Sequence, residues 1–286
     1  MDKAAILIDS SFGIRENTYS DVYIVPMEII ETNNGKVTSY LDQIEISNDQ
    51  ICEKIANGIN IKTSQPVLGN VIKKIQELSS KYKQIYAFTI PSTISGTYNN
   101  WKMLEQEYKN LKVYDQTMVG RLSEWTIMDL VEANNTGKLN DQLITDYLER
   151  IKDKRAGVLV VPDISQLKNG GRVSNFKSIL IKLLGLKLII TLDKFGLLFK
   201  DKSSKPEDAV KRANSILSTI IPLGKLPIKR FVVFTNSNSD KKFDIKHYVD
   251  ILKILYPQTK MEFTNVPSVI TAHVGPNYLA FGADLD

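Results

Sequence analysis

The residues with usable chemistry in this chain are a few hydroxyls placed ahead of helical patterns, one glycine-flanked arginine and one histidine. In residues 85–101, IYAFTIPSTISGTYNNW, a β-branched and aromatic run closes at Pro91. A Ser/Thr-rich turn then leads through Ser95-Gly96-Thr97 into Tyr98, Trp101, Leu104 and Tyr108 at helical spacing. The pattern predicts strand, turn, helix, with Ser95 near the N-cap. There its hydroxyl and the first free backbone N–H groups point the same way, and Gly96 lets a ligand come close to the main chain. An end of that kind binds anions, although an ordinary capped helix shows the same residues. Thr63 and Ser64 stand just before Pro66 and a second helical run of Val67, Val71, Ile75, Leu78 and Tyr82. Pro66 suits a first helical position, so two more hydroxyls are expected beside a helix N-terminus. In a parallel sheet both loops would share one edge, at the carboxyl ends of the strands.

In the second half, Gly170 and Gly171 precede Arg172. A loop of this kind brings its backbone near a ligand while the guanidinium offers a fork of donors; a flexible turn with a solvated arginine fits equally. His273 precedes a Gly-Pro turn and is read as lying off any helical stripe, whereas His247 falls inside an amphipathic helical pattern and is expected at the surface or in packing. Cys52 is the only cysteine, which excludes an internal disulfide and any cysteine metal cluster and suits a reducing cytosol. No metal site and no cofactor is expected. No G-x-G-x-x-G, P-loop or G-x-S-x-G pattern occurs, and a Ser95–His273 hydrolase pair has no carboxylate in the sequence to orient it.

These residues need a scaffold, and 286 residues with 43% apolar and 24% charged side chains suggest two α/β domains. The net charge of +5 is spread among acids, which leaves room for a docking face toward an acidic partner or a membrane surface but does not form a nucleic-acid footprint. Asp9 cuts the first apolar run too short for a signal segment, so a soluble cytoplasmic protein is expected. Strands are predicted over residues 4–8, 23–30, 85–90, 111–114 and 157–161. Further strands are expected at 230–235, 261–266 and 278–282, with a hairpin turning at Lys194-Phe195-Gly196. Helices are expected after Ser47, from Pro66, over 120–133, 140–152, 206–221 and 244–256, and through Phe176, Ile179, Leu180 and Leu183. Residues 37–46 show no clear pattern. The charged run 149–155 places a boundary near residue 155.

Taken together and in order, Asp9-Ser10-Ser11, Thr63-Ser64-Gln65-Pro66, Ile94-Ser95-Gly96-Thr97-Tyr98, Gly170-Gly171-Arg172-Val173-Ser174 and His273-Val274-Gly275-Pro276 resemble the bacterial DegV family along the whole chain. The resemblance implies an N-terminal, parallel-sheet, Rossmann-like α/β domain (1–155) and a C-terminal, mixed-sheet, lipid-binding α/β domain (156–286), with a ligand tunnel between or within them. It implies a long-chain fatty acid as ligand and, for some members, a fatty acid kinase as partner that phosphorylates the carboxyl group, a step in phospholipid metabolism. By the same resemblance Thr63, Ser64, Ser95, Gly96 and His273 would hold the carboxylate, and Arg172 and Gly171 would face the head group or the partner. Phe176, Ile179, Leu180 and Leu183 are candidates for the tunnel lining. The expectation is a lipid carrier and not an enzyme. The alternative is an enzyme acting on a small anionic substrate, either a phosphotransferase or a Ser/His acyl hydrolase.

Overall fold

A computed structural model of the chain describes residues 3–162, 164–171, 185–236 and 243–286. It is an α/β protein of two domains, and three sheets carry its elements. Strands β1 (Ala5–Asp9), β2 (Val22–Val25), β6 (Ile85–Phe88) and β7 (Leu111–Tyr114) form a parallel sheet in the order β2-β1-β6-β7. Both β1 and β6 are buried along their whole length, as a parallel strand covered on both faces must be. A small antiparallel sheet, β4-β3-β5, is built from β3 (Glu28–Asn33), β4 (Lys36–Leu41) and β5 (Asn60–Ser64). A six-stranded mixed sheet has the order β10-β9-β8-β13-β11-β12. Its strands are β8 (Arg155–Val161), β9 (Lys187–Asp193), β10 (Gly196–Ser203), β11 (Ile228–Thr235), β12 (Met261–Thr264) and β13 (Leu279–Leu285). We propose the division between domains near residue 155, where β8 begins.

The described helices are α1 (Asn48–Ala56), α2 (Leu68–Ser79), α3 (Thr97–Met103), α4 (Arg121–Asn135), α5 (Asp141–Ile151), α6 (Ser165–Asn169), α7 (Pro206–Ile220), α8 (Ile245–Leu255) and α9 (Ser268–Val274). Helices α7 and α8 pack Ala209, Ala213, Leu217 and Leu252 against one face of the six-stranded sheet, through alternate residues such as Val158, Val160 and Phe281. The other face carries Leu159, Val161, Ile190 and Phe234 and is covered by Leu122 and Trp125 of α4 together with Val274 of α9. This second interface brings the two halves of the chain together.

Four expectations need correction. Residues 23–30 are two strands in different sheets, because Pro26 has no N–H to continue a ladder. Residues 36–41 are a strand, β4. Pro66 lies outside α2, whose N-cap is Val67, and Thr63 and Ser64 end strand β5 instead of flanking a helix start. Finally, His273 sits in the last turn of α9.

Candidate functional site

Thr63, Ser95 and His273, 210 residues apart at the extremes, converge on one small cavity of about 70 Å³. Thr63 comes from the end of β5, where its register partner is Ile29 of β3. His273 comes from α9, which packs against α1, β5 and α6. The two side chains meet directly, Thr63 Oγ1 to His273 Nε2 at 2.8 Å. Ser95 lies in the turn between β6 and α3. Its main-chain N–H donates to Pro91 O at 3.1 Å, and its Oγ accepts from Thr97 N at 3.3 Å and lies 2.9 Å from Thr97 Oγ1. Ser95 thus stands one residue before the N-cap, which is Gly96, and no side chain caps α3 in the usual way.

This turn is held from both flanks. The Asp9 carboxylate accepts from Ile90 N at 2.7 Å, and Asp115 accepts from Ser92 N at 3.0 Å. Asp9 is fully buried. Burial pushes its carboxyl up to about 6, although hydrogen bonds from Ser11 and from the Ile90 N–H work in the opposite direction. The Gln65 amide covers Gly96 so closely that a β-carbon there would lie 3.0 Å from Gln65 Nε2, and Asn100 Nδ2 fixes Gln65 Oε1 at 2.6 Å.

The two adjacent glycines serve different ends. A β-carbon on Gly170 would fall within the imidazole of His273, 2.6 Å from Cε1, so glycine is required for the α6 end to meet His273. Gly171 is exposed and left-handed, at φ 75°. Arg172, Phe176, Ile179, Leu180 and Leu183 lie outside the described residues. Ser64 and Gly96 are not among the described residues that line the cavity. On β5 successive side chains face opposite ways, so Thr63 and Ser64 cannot both do so.

The remaining described lining is apolar, with Ile90, Ile94, Leu167, Leu192, Leu197 and Val269 among its residues, and no Asp or Glu is found among the described residues there. Beyond it lies a second cavity of about 80 Å³, which shares Val119, Leu192, Leu197, Ile270 and Val274 with the first and has no hydroxyl or charged side chain among its described lining residues. Sequence inspection did not find this lining, since α9 and the β9–β10 hairpin contribute to it from far along the chain. Among the described residues no group of His, Cys, Asp and Glu could hold a metal ion, and no helix is long and apolar enough to cross a membrane.

A model of the DegV family, described as an uncharacterised protein family, matches residues 3–285. The chain belongs to the DegV family. It is 27% identical over 286 residues to a DegV domain-containing protein of Mycoplasma genitalium, covering 98% of each chain. Among solved structures it resembles a fatty acid binding DegV family protein of Streptococcus agalactiae with a TM-score of 0.84, at 22% identity over 100% of both chains. It also resembles the fatty acid kinase (Fak) B3 protein of Streptococcus pneumoniae loaded with linoleic acid, with a TM-score of 0.77 at 17% identity, covering 99% of this chain and 100% of that one. These likenesses place this DegV chain in the same fold.

Proposed function

We propose that this DegV chain binds a long-chain fatty acid, with the carboxylate at Thr63, Ser95 and His273 and the acyl chain running from the first apolar cavity into the second. It then presents the head group to a separate fatty acid kinase without turning the lipid over itself. The observation that carries this proposal is the asymmetry of the two adjoining cavities: two hydroxyls and an imidazole at one end, no acidic side chain among the described residues of that lining, and apolar walls beyond. A carboxylate placed there gains donors without meeting a like charge, and every buried CH₂ of its tail adds about 0.8 kcal/mol. Ligand pockets usually exceed roughly 300 Å³, so a long acyl chain is admitted only as the apolar side chains between the two cavities give way.

The partner kinase is supported by the likeness to the pneumococcal Fak B3 protein and by the Gly170–Gly171 turn. Gly170 abuts His273, and Arg172 follows immediately in sequence. In this proposal Arg172 faces the partner or the transferred phosphoryl group. The test is organic extraction of the purified chain followed by mass spectrometry, then incubation of the loaded protein with ATP with and without a fatty acid kinase. Stoichiometric fatty acid, with acyl phosphate formed only when the kinase is added, is the expected result. Acyl phosphate formation or ester cleavage by the chain alone would overturn the carrier reading in favour of an enzyme.

A further inference from the structure

Along the paired strands β8 and β13, three successive steps on one sheet face change character. Leu159 faces Ala280 across the ladder, Gly157 faces Gly282, and Arg155 faces Asp284. The first pair belongs to the apolar wall of the second cavity. The middle pair is a notch without β-carbons, and Leu122 of α4 is seated in it. A β-carbon on Gly157 would lie 3.0 Å from Leu122 Cδ1, and one on Gly282 would lie 2.9 Å and 3.0 Å from the two Cδ atoms. The third pair is a buried ion pair. Arg155 Nε and Nη2 bond Asp284 at 3.1 and 3.0 Å, while Arg155 Nη1 donates to the carbonyl oxygen of Leu122 at 3.0 Å.

We propose that Leu122, seated over the Gly157–Gly282 pair, is the end-stop that sets the length of acyl chain this protein accepts. The inference rests on the fatty-acid reading above. Leu122 and Gly157 line only the second of the two adjoining cavities, away from Thr63, Ser95 and His273, so an apolar tail advancing from the head-group end meets them last. Past them stands the guanidinium of Arg155, a layer that an alkyl tail cannot enter without stripping paired charges of their partners. The stop is also stiff. Arg155 holds the main chain of Leu122, and the side chain is wedged between two glycines with no neighbouring β-carbon to yield. Leu122 is therefore a specificity-determining residue.

The experiment measures dissociation constants for saturated fatty acids from about ten to eighteen carbons, a range over which affinity climbs with each buried CH₂ until the space is full. The native chain is compared with Leu122→Ala and Gly157→Ala. Leu122→Ala deletes three carbon atoms at the blind end, so the length optimum should move up by about two to three carbons. Gly157→Ala fills the notch from the opposite side and should move the optimum down by about one to two carbons. Leu122→Val, which keeps most of the packing, should give a smaller upward move even if the alanine variant folds poorly. An optimum that stays the same in Gly157→Ala and Leu122→Val, with all lengths weakened equally, overturns the end-stop alone. A native chain that binds none of these fatty acids overturns the fatty-acid reading and the end-stop with it.

Discussion

The two ends of the adjoining cavities are built on opposite principles. Near the far end, buried Arg155, Asp284 and Tyr147 and half-buried Arg230 and Asp129 form a network in which the charged groups are matched within the chain. Arg230 bonds Asp129 at 3.0 and 2.7 Å and Asp284 at 3.0 Å, and Tyr147 donates to Asp129 at 2.6 Å. Burial disfavours the charge on Asp129, yet the bonds from Arg230 and Tyr147 outweigh it and hold the carboxyl below its usual range. Both guanidinium groups also lie over the Trp125 ring, at 5.8 and 5.1 Å. At the other end, Thr63, Ser95 and His273 gather two hydroxyls and an imidazole on a lining with no carboxylate among its described residues. A network that answers its own charges fastens the two halves together, since Asp129 and Tyr147 belong to α4 and α5 while Arg155, Arg230 and Asp284 belong to β8, β11 and β13. A cluster of donors that includes no anion is suited to an anion from outside.

Breaking the first network should have the largest effect. Asp284→Ala leaves Arg155 buried with its main counter-charge gone, and removing one partner of a buried pair costs about 3–5 kcal/mol. The denaturation midpoint should fall accordingly, read by urea unfolding of the native and variant chains. A loss no larger than that of a surface substitution would mean the network is only weakly structural, and the contrast between the two ends would fail.

The head-group end should respond in binding and hardly in stability. Thr63→Val or Ser95→Ala removes one hydrogen bond to a charged ligand, worth about 1.5–3 kcal/mol, or roughly a tenfold to hundredfold loss of fatty-acid affinity. Isothermal titration with one fatty acid, alongside thermal unfolding, separates the two effects. Undiminished retention of lipid by the double variant would remove these hydroxyls from the site.

How much of this was legible in the sequence follows from the range of the interactions involved. Strand β7, the β9–β10 hairpin and helices α5 and α7 follow local patterns and were readable as such. Strand β4 was not, because its edge position leaves Val37 64% exposed and erases the alternation. Helix α9 spans only seven residues, too short for a periodic signal, so nothing in the sequence marks His273 as helical. The convergence of Thr63, Ser95 and His273 entered only through a family resemblance, since no local rule brings β5, the β6–α3 turn and α9 together. The Gly157–Gly282 notch and the Arg155–Asp284 pair left no trace at all, because each exists only through the antiparallel register of two strands far apart in sequence.

The smallest expected effect concerns a third buried place, where an acid is neither matched by a cation nor offered to a ligand. Asp42 is 1% exposed and lies near Asp9, which is fully buried. Burial pushes the Asp42 carboxyl up to about 6; the hydroxyls of Ser10 and Ser268 oppose that rise, and the Asp9 charge adds to it. The rule drawn from the two cavity ends implies that an unmatched buried acid is a net cost whenever it is ionised. A folded-state value above the unfolded one means that the folded chain binds more protons between about pH 4 and pH 6, so stability falls as pH rises through that window. The penalty is absent below about pH 4 and complete above about pH 6. Asp42→Asn removes the titrating group while keeping its shape, so the variant should be more stable than the native chain at pH 7.5, by about 1–2 kcal/mol once coupling to Asp9 and relaxation are allowed for. Near pH 4 the difference should shrink to a small fraction, because the folded Asp42 carboxyl is then protonated. Urea unfolding of the two proteins at both pH values makes the comparison. A variant less stable at pH 7.5, or equally stabilised at both values, would show that the Asp42 carboxylate is satisfied where it lies, and that buried acids in this fold need no cation to be tolerated.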